Sequence, residues 1–229
     1  MKSFPVTCYD DFYDDPDSVR EFALGLKYSR SSGFYPGVRT PCLSTINSKF
    51  YEFSYHRILS LFGDYSKTCD PDNYRVLTQF QKISRFSSDP DDPANMGWIH
   101  LDTKADLAAV VYLDPDPDLD NGTCIYRKDR ELPPSESIDP DNLPNCMKGY
   151  QVDDEFRKLI VANNNQYTKT MEVKNVYNRM ILYSGEFHGA SNYYMQNEED
   201  FRLTQVFFIF GMKIPYDLVP KIRCSKYGI

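Results

Sequence analysis

Three things are scarce in this 229-residue chain, and each scarcity argues against a class of protein. Lys and Arg number 26 against 33 Asp and Glu, and the net charge of −7 argues against a general binder of nucleic-acid phosphates. Uncharged apolar runs such as 107–113 fall far short of the roughly 20 residues that span a bilayer. No basic and then apolar signal segment begins the chain, so we expect a cytoplasmic protein.

Cysteine pairs and histidines are also few. The six cysteines are scattered and include no C-x-x-C pair, which favours reduced thiols over a disulfide framework. Only three histidines occur, namely His56, His100 and His188. Any site that uses histidine must therefore draw on this small set.

Bulky apolar residues are plentiful, since aromatic residues make up 15% of the chain and can build a core. In the N-terminal third, helical spacing of apolar residues predicts helices at Asp15–Tyr28 and Phe50–Phe62. The turn-rich stretch between them, 31–39, reads as a surface connection. Further along, a helix is predicted at Asp153–Asn163.

From about residue 75 the chain changes to short β-type segments separated by Pro, Asp, Asn and Gly. Asn175 and Asn178 mark a tight turn between the fourth and fifth of these segments. Because no helices alternate with the strands, the pattern favours an antiparallel sandwich or jelly roll. The six predicted strands are Arg75–Phe86, Ala105–Leu113, Thr123–Tyr126, Tyr167–Val173, Arg179–Tyr183 and Phe201–Lys213.

Two histidines and an aspartate form a candidate metal site. His100 and Asp102 are spaced i and i+2, and on a strand such residues point to the same face. His188 comes at the end of a strongly apolar segment. Two His and one carboxylate are the ligand set of non-haem Fe(II) oxygenases, so we predict that these three residues hold a metal.

A candidate anion receptor follows the second histidine. Arg202 and Thr204 share one face at the start of the last apolar strand. A guanidinium beside a hydroxyl suits a carboxylate, and burying Arg there without an anion would be costly. We therefore expect an anionic ligand at Arg202.

In identity, order and spacing, these residues resemble the 2-oxoglutarate/Fe(II)-dependent dioxygenases, whose pattern is H-x-D/E, a distal His, and then Arg or Lys with Ser/Thr. Tyr112-Leu113-Asp114 with Gly122-Thr123 is similar to the prolyl-hydroxylase-like branch, which implies that Tyr112 helps to hold the cosubstrate. Beyond the core, 34–39 resembles an uncharacterised oxygenase-like group of marine bacteria and their phages. A phage-encoded protein would act in the host cytoplasm.

The resemblance covers roughly 75–213 and implies a mainly β fold with flanking helices, a cupin-like double-stranded β-helix. We expect a single domain over 1–229. Within it, 1–74 forms a helical support and 75–213 forms the core with an insert at 131–166, while 214–229 is a C-terminal tail.

The resemblance also implies an oxidoreductase that uses Fe(II), 2-oxoglutarate and O2 as cofactors and forms succinate and CO2. Asp102 favours hydroxylation over halogenation, because halogenases of this family replace the triad carboxylate with a small residue. Arg202 stands where collagen-type prolyl hydroxylases have Lys, so their substrate is not carried over. We expect a small molecule or a peptide or protein side chain as substrate, and neither nucleic acid nor membrane as partner.

Alternative interpretations of these residues remain at this stage. His100 and His188 are also compatible with histidines satisfied by neighbours, Arg202 with a structural salt bridge, and Tyr112 with a core aromatic. Gln79 and Gln81 either line the cavity or face water. At the level of function, the rivals are a non-catalytic jelly-roll binding module and a cupin-like metalloenzyme that does not use 2-oxoglutarate.

Overall fold

The computed structural model describes most of the chain and includes all six candidate site residues. Predictions for the turn-rich 31–36, most of the 131–166 insert and the 214–229 tail fall outside the described residues. The described residues are 6–29, 37–62, 74–85, 87–89, 91–102, 104–129, 154–183, 187–190 and 201–212.

Three of the described α-helices agree with the predicted ones to within a few residues, whereas α2 (Leu43–Ile46) was not predicted. They are α1 (Pro16–Leu24), α2 (Leu43–Ile46), α3 (Ser48–Leu59) and α4 (Asp154–Asn164), with 3-10 turns at Ser60–Phe62 and Pro93–Met96. In this part of the chain, no helix is both long and apolar enough to cross a membrane.

Helix boundaries follow local hydrogen bonds. Asp15 caps α1 by accepting from the backbone N–H of Ser18 at 3.1 Å, and Pro16 fits the first helical position. Gly25 ends α1, so the helix is shorter than the predicted Asp15–Tyr28. Asn47 caps α3 by accepting from the N–H of Phe50 at 3.0 Å, which is why α3 begins before the predicted Phe50.

Two antiparallel sheets form the body of the protein. The larger has the strand order β1-β7-β4-β9-β3-β2 and the smaller has the order β6-β5-β8. The strands are β1 (Thr7–Tyr9), β2 (Val38–Arg39), β3 (Arg75–Ile83), β4 (Leu107–Tyr112), β5 (Thr123–Lys128), β6 (Tyr167–Val173), β7 (Met180–Tyr183), β8 (Phe187–Ala190) and β9 (Arg202–Phe210).

From β4 onward the chain passes back and forth between the two sheets, as in a double-stranded β-helix: β4, β7 and β9 belong to the large sheet, and β5, β6 and β8 belong to the small one. The chain passes from the large sheet to the small one between β4 and β5, and again between β7 and β8. Asn175 and Asn178 lie between β6 and β7 as predicted, with Asn178 at φ 62, but those two strands belong to different sheets. The predicted fold class is therefore confirmed.

The large sheet is covered by helices on one face and by the small sheet on the other. Val19 of α1 and Ile58 of α3 pack with Phe80 and Phe207 of the sheet, so the helices brace this face as predicted. On the opposite face, Tyr112 and Tyr183 pack with Ile125 of the small sheet. The candidate site residues lie on this second face, between the sheets.

Three described strands were not predicted, namely β1, β2 and β8. They have 3, 2 and 4 residues, so each is too short to show an alternating pattern. At the other end of the prediction, β9 stops at Phe210 and not at Lys213, because Gly211 follows with φ 74. Cys8, Cys42 and Cys124, the cysteines among the described residues, form no disulfide.

Candidate metal centre

His100, Asp102 and His188 meet at one point between the sheets. Their candidate ligand atoms all lie within 4.8 Å of one another, and no other such cluster occurs among the described residues. The Nε2 atom of His188 is 3.4 Å from Oδ2 of Asp102, and Nε2 of His100 is 3.8 Å from Oδ1. Two nitrogens and a carboxylate oxygen on adjacent positions suit Fe(II).

The backbone pairs the two histidines directly. His100 donates its N–H to the carbonyl of His188 at 3.0 Å, and His188 returns the bond at 2.9 Å. His188 lies on β8 opposite Ile125, but His100 forms only an isolated bridge and Asp102 follows on irregular backbone. His100 and Asp102 thus do not lie on a regular strand, the geometry considered from their spacing, although their side chains do converge.

Hydrogen bonding selects the nitrogen that His100 offers to a metal. Its Nδ1 atom is 2.9 Å from the carbonyl oxygen of Trp98, so Nδ1 carries the proton and donates. The lone pair then resides on Nε2, the atom that faces Asp102. His188 is buried whereas His100 is exposed, so the cluster opens to solvent on the His100 side.

Two asparagines at the end of α4 hold the segment before His100. The Asn164 side chain accepts from the N–H of Ile99 at 3.1 Å and donates to the carbonyl of Gly97 at 2.9 Å. Asn163 donates to the carbonyl of Ile99 at 3.0 Å. The side chains thus satisfy backbone groups that a neighbouring strand would otherwise pair. Sequence reasoning missed both residues, because two asparagines near a helix end carry no distinctive pattern.

Arg202 is buried at the start of β9 with 3% of its surface exposed. One terminal nitrogen donates to the carbonyl oxygens of Asn121 and Gly122, the latter at 2.7 Å. Its Nε is buried without a hydrogen-bond partner, and no carboxylate pairs with Arg202 among the described residues. Among the described residues no salt bridge accounts for this side chain, and its surroundings suit an anion.

Thr204 and Tyr112 lie on the same face as Arg202. Thr204 pairs across the sheet with both Tyr112 and Gln81, and its hydroxyl is 3.5 Å from the Gln81 carbonyl. The Arg202 guanidinium carbon is 5.8 Å from the centre of the Tyr112 ring. Tyr112 donates to the Thr123 hydroxyl at 2.7 Å, so its own hydroxyl already has one partner.

The tyrosines here are neutral. Burial raises the pKa of Tyr112 to about 12, although Arg202 and the bond to Thr123 oppose the rise. Burial also raises the pKa of Tyr183 well above its usual value; Asp102 and Tyr112 add to this, while Arg39 and Arg202 oppose it. Tyr183 is thus close enough to feel both arginines, and its ring centre is 4.5 Å from that of His188.

Arg202 and the metal cluster open onto the same space. Gly122, which accepts from Arg202, precedes β5 by one residue, and Ile125 of β5 pairs with His188. Gly122 and Ile125 are three residue steps apart along the chain, a distance of about 10 Å when extended. This spacing is comparable with the length of a short dicarboxylate together with the side chains that would hold its ends.

Two further side chains on this face were not assigned from the sequence. The sequence predicted that Arg39 lies in a surface connection. In the structure it belongs to β2 and donates from Nε to the Gln81 side chain at 3.0 Å. Gln81 is buried beside Thr204, so it lines the space between the sheets. Gln79 donates to the carbonyl of Thr40 at 2.7 Å. The third histidine, His56, is exposed on α3, as expected.

The architecture and the site together define a class of fold: a double-stranded β-helix with a His-x-Asp…His cluster and a buried arginine between its sheets. Residues 1–208 match the model of DUF6445, described as a family of unknown function, and the chain belongs to that family. No curated protein matches the chain.

Solved structures are similar to this chain at low sequence identity. HygX from Streptomyces hygroscopicus, crystallised with nickel, 2-oxoglutarate and hygromycin B bound, is 15% identical with a TM-score of 0.50, over 89% of this chain and 82% of that one. A Pseudomonas putida prolyl-4-hydroxylase is 10% identical, with a TM-score of 0.45 over 89% and 91% of the chains. SnoN, a non-haem α-ketoglutarate-dependent epimerase from nogalamycin biosynthesis, is 11% identical, with a TM-score of 0.48 over 89% and 78%.

Proposed function

We propose that this protein is an Fe(II)- and 2-oxoglutarate-dependent oxygenase that hydroxylates a C–H bond of its substrate. The observation that carries the proposal is that a two-histidine, one-carboxylate cluster and a buried Arg202, which has no carboxylate partner among the described residues, both lie between the two sheets. Each feature alone has a structural explanation. Together they match the two ends of a ligand that chelates a metal and presents a distant carboxylate.

His100, Asp102 and His188 are the proposed metal ligands. The donor set fits, because the Nδ1 bond of His100 to Trp98 leaves Nε2 free for coordination. When bound, Fe(II) supplies O2 activation coupled to the conversion of 2-oxoglutarate to succinate and CO2, with one oxygen atom going to succinate and one to the hydroxylated product.

Arg202 and Thr204 are the proposed receptor for the far carboxylate of 2-oxoglutarate, with Tyr112 beside them. The carbonyls of Asn121 and Gly122 fix the Arg202 side chain in advance, which limits the entropy lost on binding. Tyr112 is neutral and fully buried, so it keeps this end of the space apolar without competing for the guanidinium. The two sheets exclude water from the same end.

We propose a small molecule or a peptide or protein side chain as the substrate, acted on in the cytoplasm. The net charge of −7 favours these over a nucleic acid. The open side of the cluster, at the exposed His100, is where the substrate would approach.

The test measures succinate formed from 2-oxoglutarate with added Fe(II) and O2. His100→Ala should reduce succinate formation by about a hundredfold or more, because a metal ligand is lost. The matched control is His56→Ala, which removes the exposed histidine of α3 and should retain wild-type turnover. Equal turnover in wild type and His100→Ala would contradict the proposed oxygenase function. Metal and 2-oxoglutarate binding without any succinate would instead indicate a non-catalytic binding module.

A further inference from the structure

The edge of the large sheet carries a second arginine on the face that bears Arg202. Arg39 of β2 pairs with Gln81 of β3, Gln81 pairs with Thr204 of β9, and Thr204 pairs with Tyr112 of β4. Directly paired residues point to the same side of a sheet. Arg39 therefore lies in one row with the proposed 2-oxoglutarate receptor, two strands away from Thr204.

The Arg39 side chain extends along the sheet toward the metal end. Its guanidinium carbon is 5.7 Å from the centre of the Phe208 ring, within the range of a cation–π contact. Phe208 pairs with Ala108, Ala108 pairs with Tyr183, and the Tyr183 ring lies against His188. Arg39 thus reaches the row of paired residues formed by Phe208, Ala108 and Tyr183, and this row lies beside the metal cluster.

Two contacts orient the guanidinium. Gln81, itself 3% exposed, accepts from Nε at 3.0 Å and fixes one edge, while the Phe208 ring lies near its carbon. A guanidinium is planar and permanently charged, and its fork of donors matches a carboxylate in two-point contact. Arg39 adds a positive charge to the space between the sheets at a point different from Arg202.

The position also separates Arg39 from the cosubstrate. Two strand spacings put the backbone of Arg39 about 10 Å from that of Thr204. A 2-oxoglutarate held by Arg202 and the metal already uses both of its carboxylates. An acid group of a ligand bound at Arg39 would therefore belong to a second molecule and not to 2-oxoglutarate.

We propose that Arg39 binds a carboxylate of the primary substrate, so that the substrate class is a small carboxylic acid such as a free amino acid. The proposal rests on the proposed oxygenase function. Held at Arg39, the acid group would position the remainder of the molecule across Phe208 toward the open side of the metal cluster. Arg39 is thus a specificity-determining residue and takes no part in holding the metal.

The experiment compares free amino acids with their carboxamides as stimulators of succinate formation from 2-oxoglutarate. In wild type, at least one acid should stimulate with a KM roughly tenfold to a hundredfold lower than that of its amide, the range of one charge-assisted contact. Arg39→Gln should abolish this preference, and Arg39→Lys should retain part of it.

Lys82→Gln is the matched control. Lys82 lies next to Gln81 and pairs with Val38, but its ammonium is 4.4 Å from the Tyr28 ring on the helix-covered face. Removing this charge should leave the acid preference unchanged. The comparison separates a local contact of Arg39 from a general effect of positive charge.

Three outcomes overturn the proposal for Arg39: acid and amide act equally on wild type, no acid in the panel stimulates, or Arg39→Gln keeps the preference. The first two outcomes are measured on wild type alone, so they test the proposal even if a variant fails to fold. Wild type that forms no succinate from 2-oxoglutarate and Fe(II) contradicts the oxygenase function itself. Basal succinate formation without acid preference contradicts only the role of Arg39.

Discussion

At the scale of single residues, burial controls which groups carry charge in the site. Tyr112 has 0% of its surface exposed and Arg202 has 3%, yet one stays neutral and the other is always charged. The charged residue is the one whose described partners are backbone and side-chain oxygens of Asn121 and Gly122. This contrast makes Arg202 the more informative residue about the ligand.

The raised pKa of Tyr112 predicts a loss of stability in alkali. Unfolded tyrosine loses its proton near pH 10.0, whereas Tyr112 does so at about 12. The contribution of Tyr112 to the free energy of unfolding is therefore fully present below pH 10. It decreases as the pH rises toward 12, by about 3 kcal/mol at most. Tyr112→Phe should show a shallower fall in the free energy of unfolding over this interval.

The measurement is denaturant unfolding from about pH 9 to about pH 12 for both proteins. Burial also raises the pKa of Tyr183, which adds to the loss of stability in alkali, so Tyr112→Phe should reduce the slope seen in wild type and not remove it. Identical slopes for wild type and Tyr112→Phe would contradict the neutral, buried state of this hydroxyl.

At the scale of elements, α4 positions the segment that leads to His100, a proposed metal ligand, from outside the sheets. Its last two residues, Asn163 and Asn164, are buried against 97–99, while Asn165 follows the helix and is exposed. The end of this helix makes the hydrogen bonds that a neighbouring strand would otherwise make to the segment that leads to His100. Because these side chains satisfy the backbone, the segment before His100 does not need to lie in a regular strand. The assignment of His100 as a metal ligand remains a prediction.

Loosening this contact should weaken metal binding. Asn164→Ala removes both bonds to the segment before His100, and we expect Fe(II) affinity to fall about tenfold to a hundredfold, as for other groups that orient a ligand. Metal titration of the protein without 2-oxoglutarate measures the loss. Asn165→Ala is the matched control and should bind metal like wild type. A loss of stability in Asn164→Ala with unchanged metal affinity would assign Asn164 a purely structural role.

The sequence predicted long elements better than short ones, for a physical reason. The nine-residue β3 and β9 are long and rich in apolar and aromatic residues, so they can be recognised as strands without tertiary context. The two-residue β2 exists only because β3 offers it a partner, so Arg39 could not be placed on the site face from its own neighbours. Chain order and residue type predicted the His100, Asp102 and His188 set because ligand chemistry restricts those choices.

At the scale of the whole molecule, the site depends on both sheets. Arg202 belongs to the large sheet, His188 belongs to the small sheet, and His100 joins the small sheet by one bridge. The face of the large sheet that packs on α1 and α3 contributes none of the six predicted site residues. The packing of the two sheets therefore sets the distance between the metal cluster and the anion receptor.

The central claim is that the metal cluster and Arg202 bind the two ends of one 2-oxoglutarate. The most direct measurement is an anaerobic titration of 2-oxoglutarate into wild type with Fe(II), wild type without metal, and Arg202→Gln with Fe(II). We predict binding in the first sample and affinities lower by about tenfold or more in each of the others, since each loses one charge-assisted contact. Affinity for 2-oxoglutarate that is insensitive to both Fe(II) and Arg202 would contradict the claim.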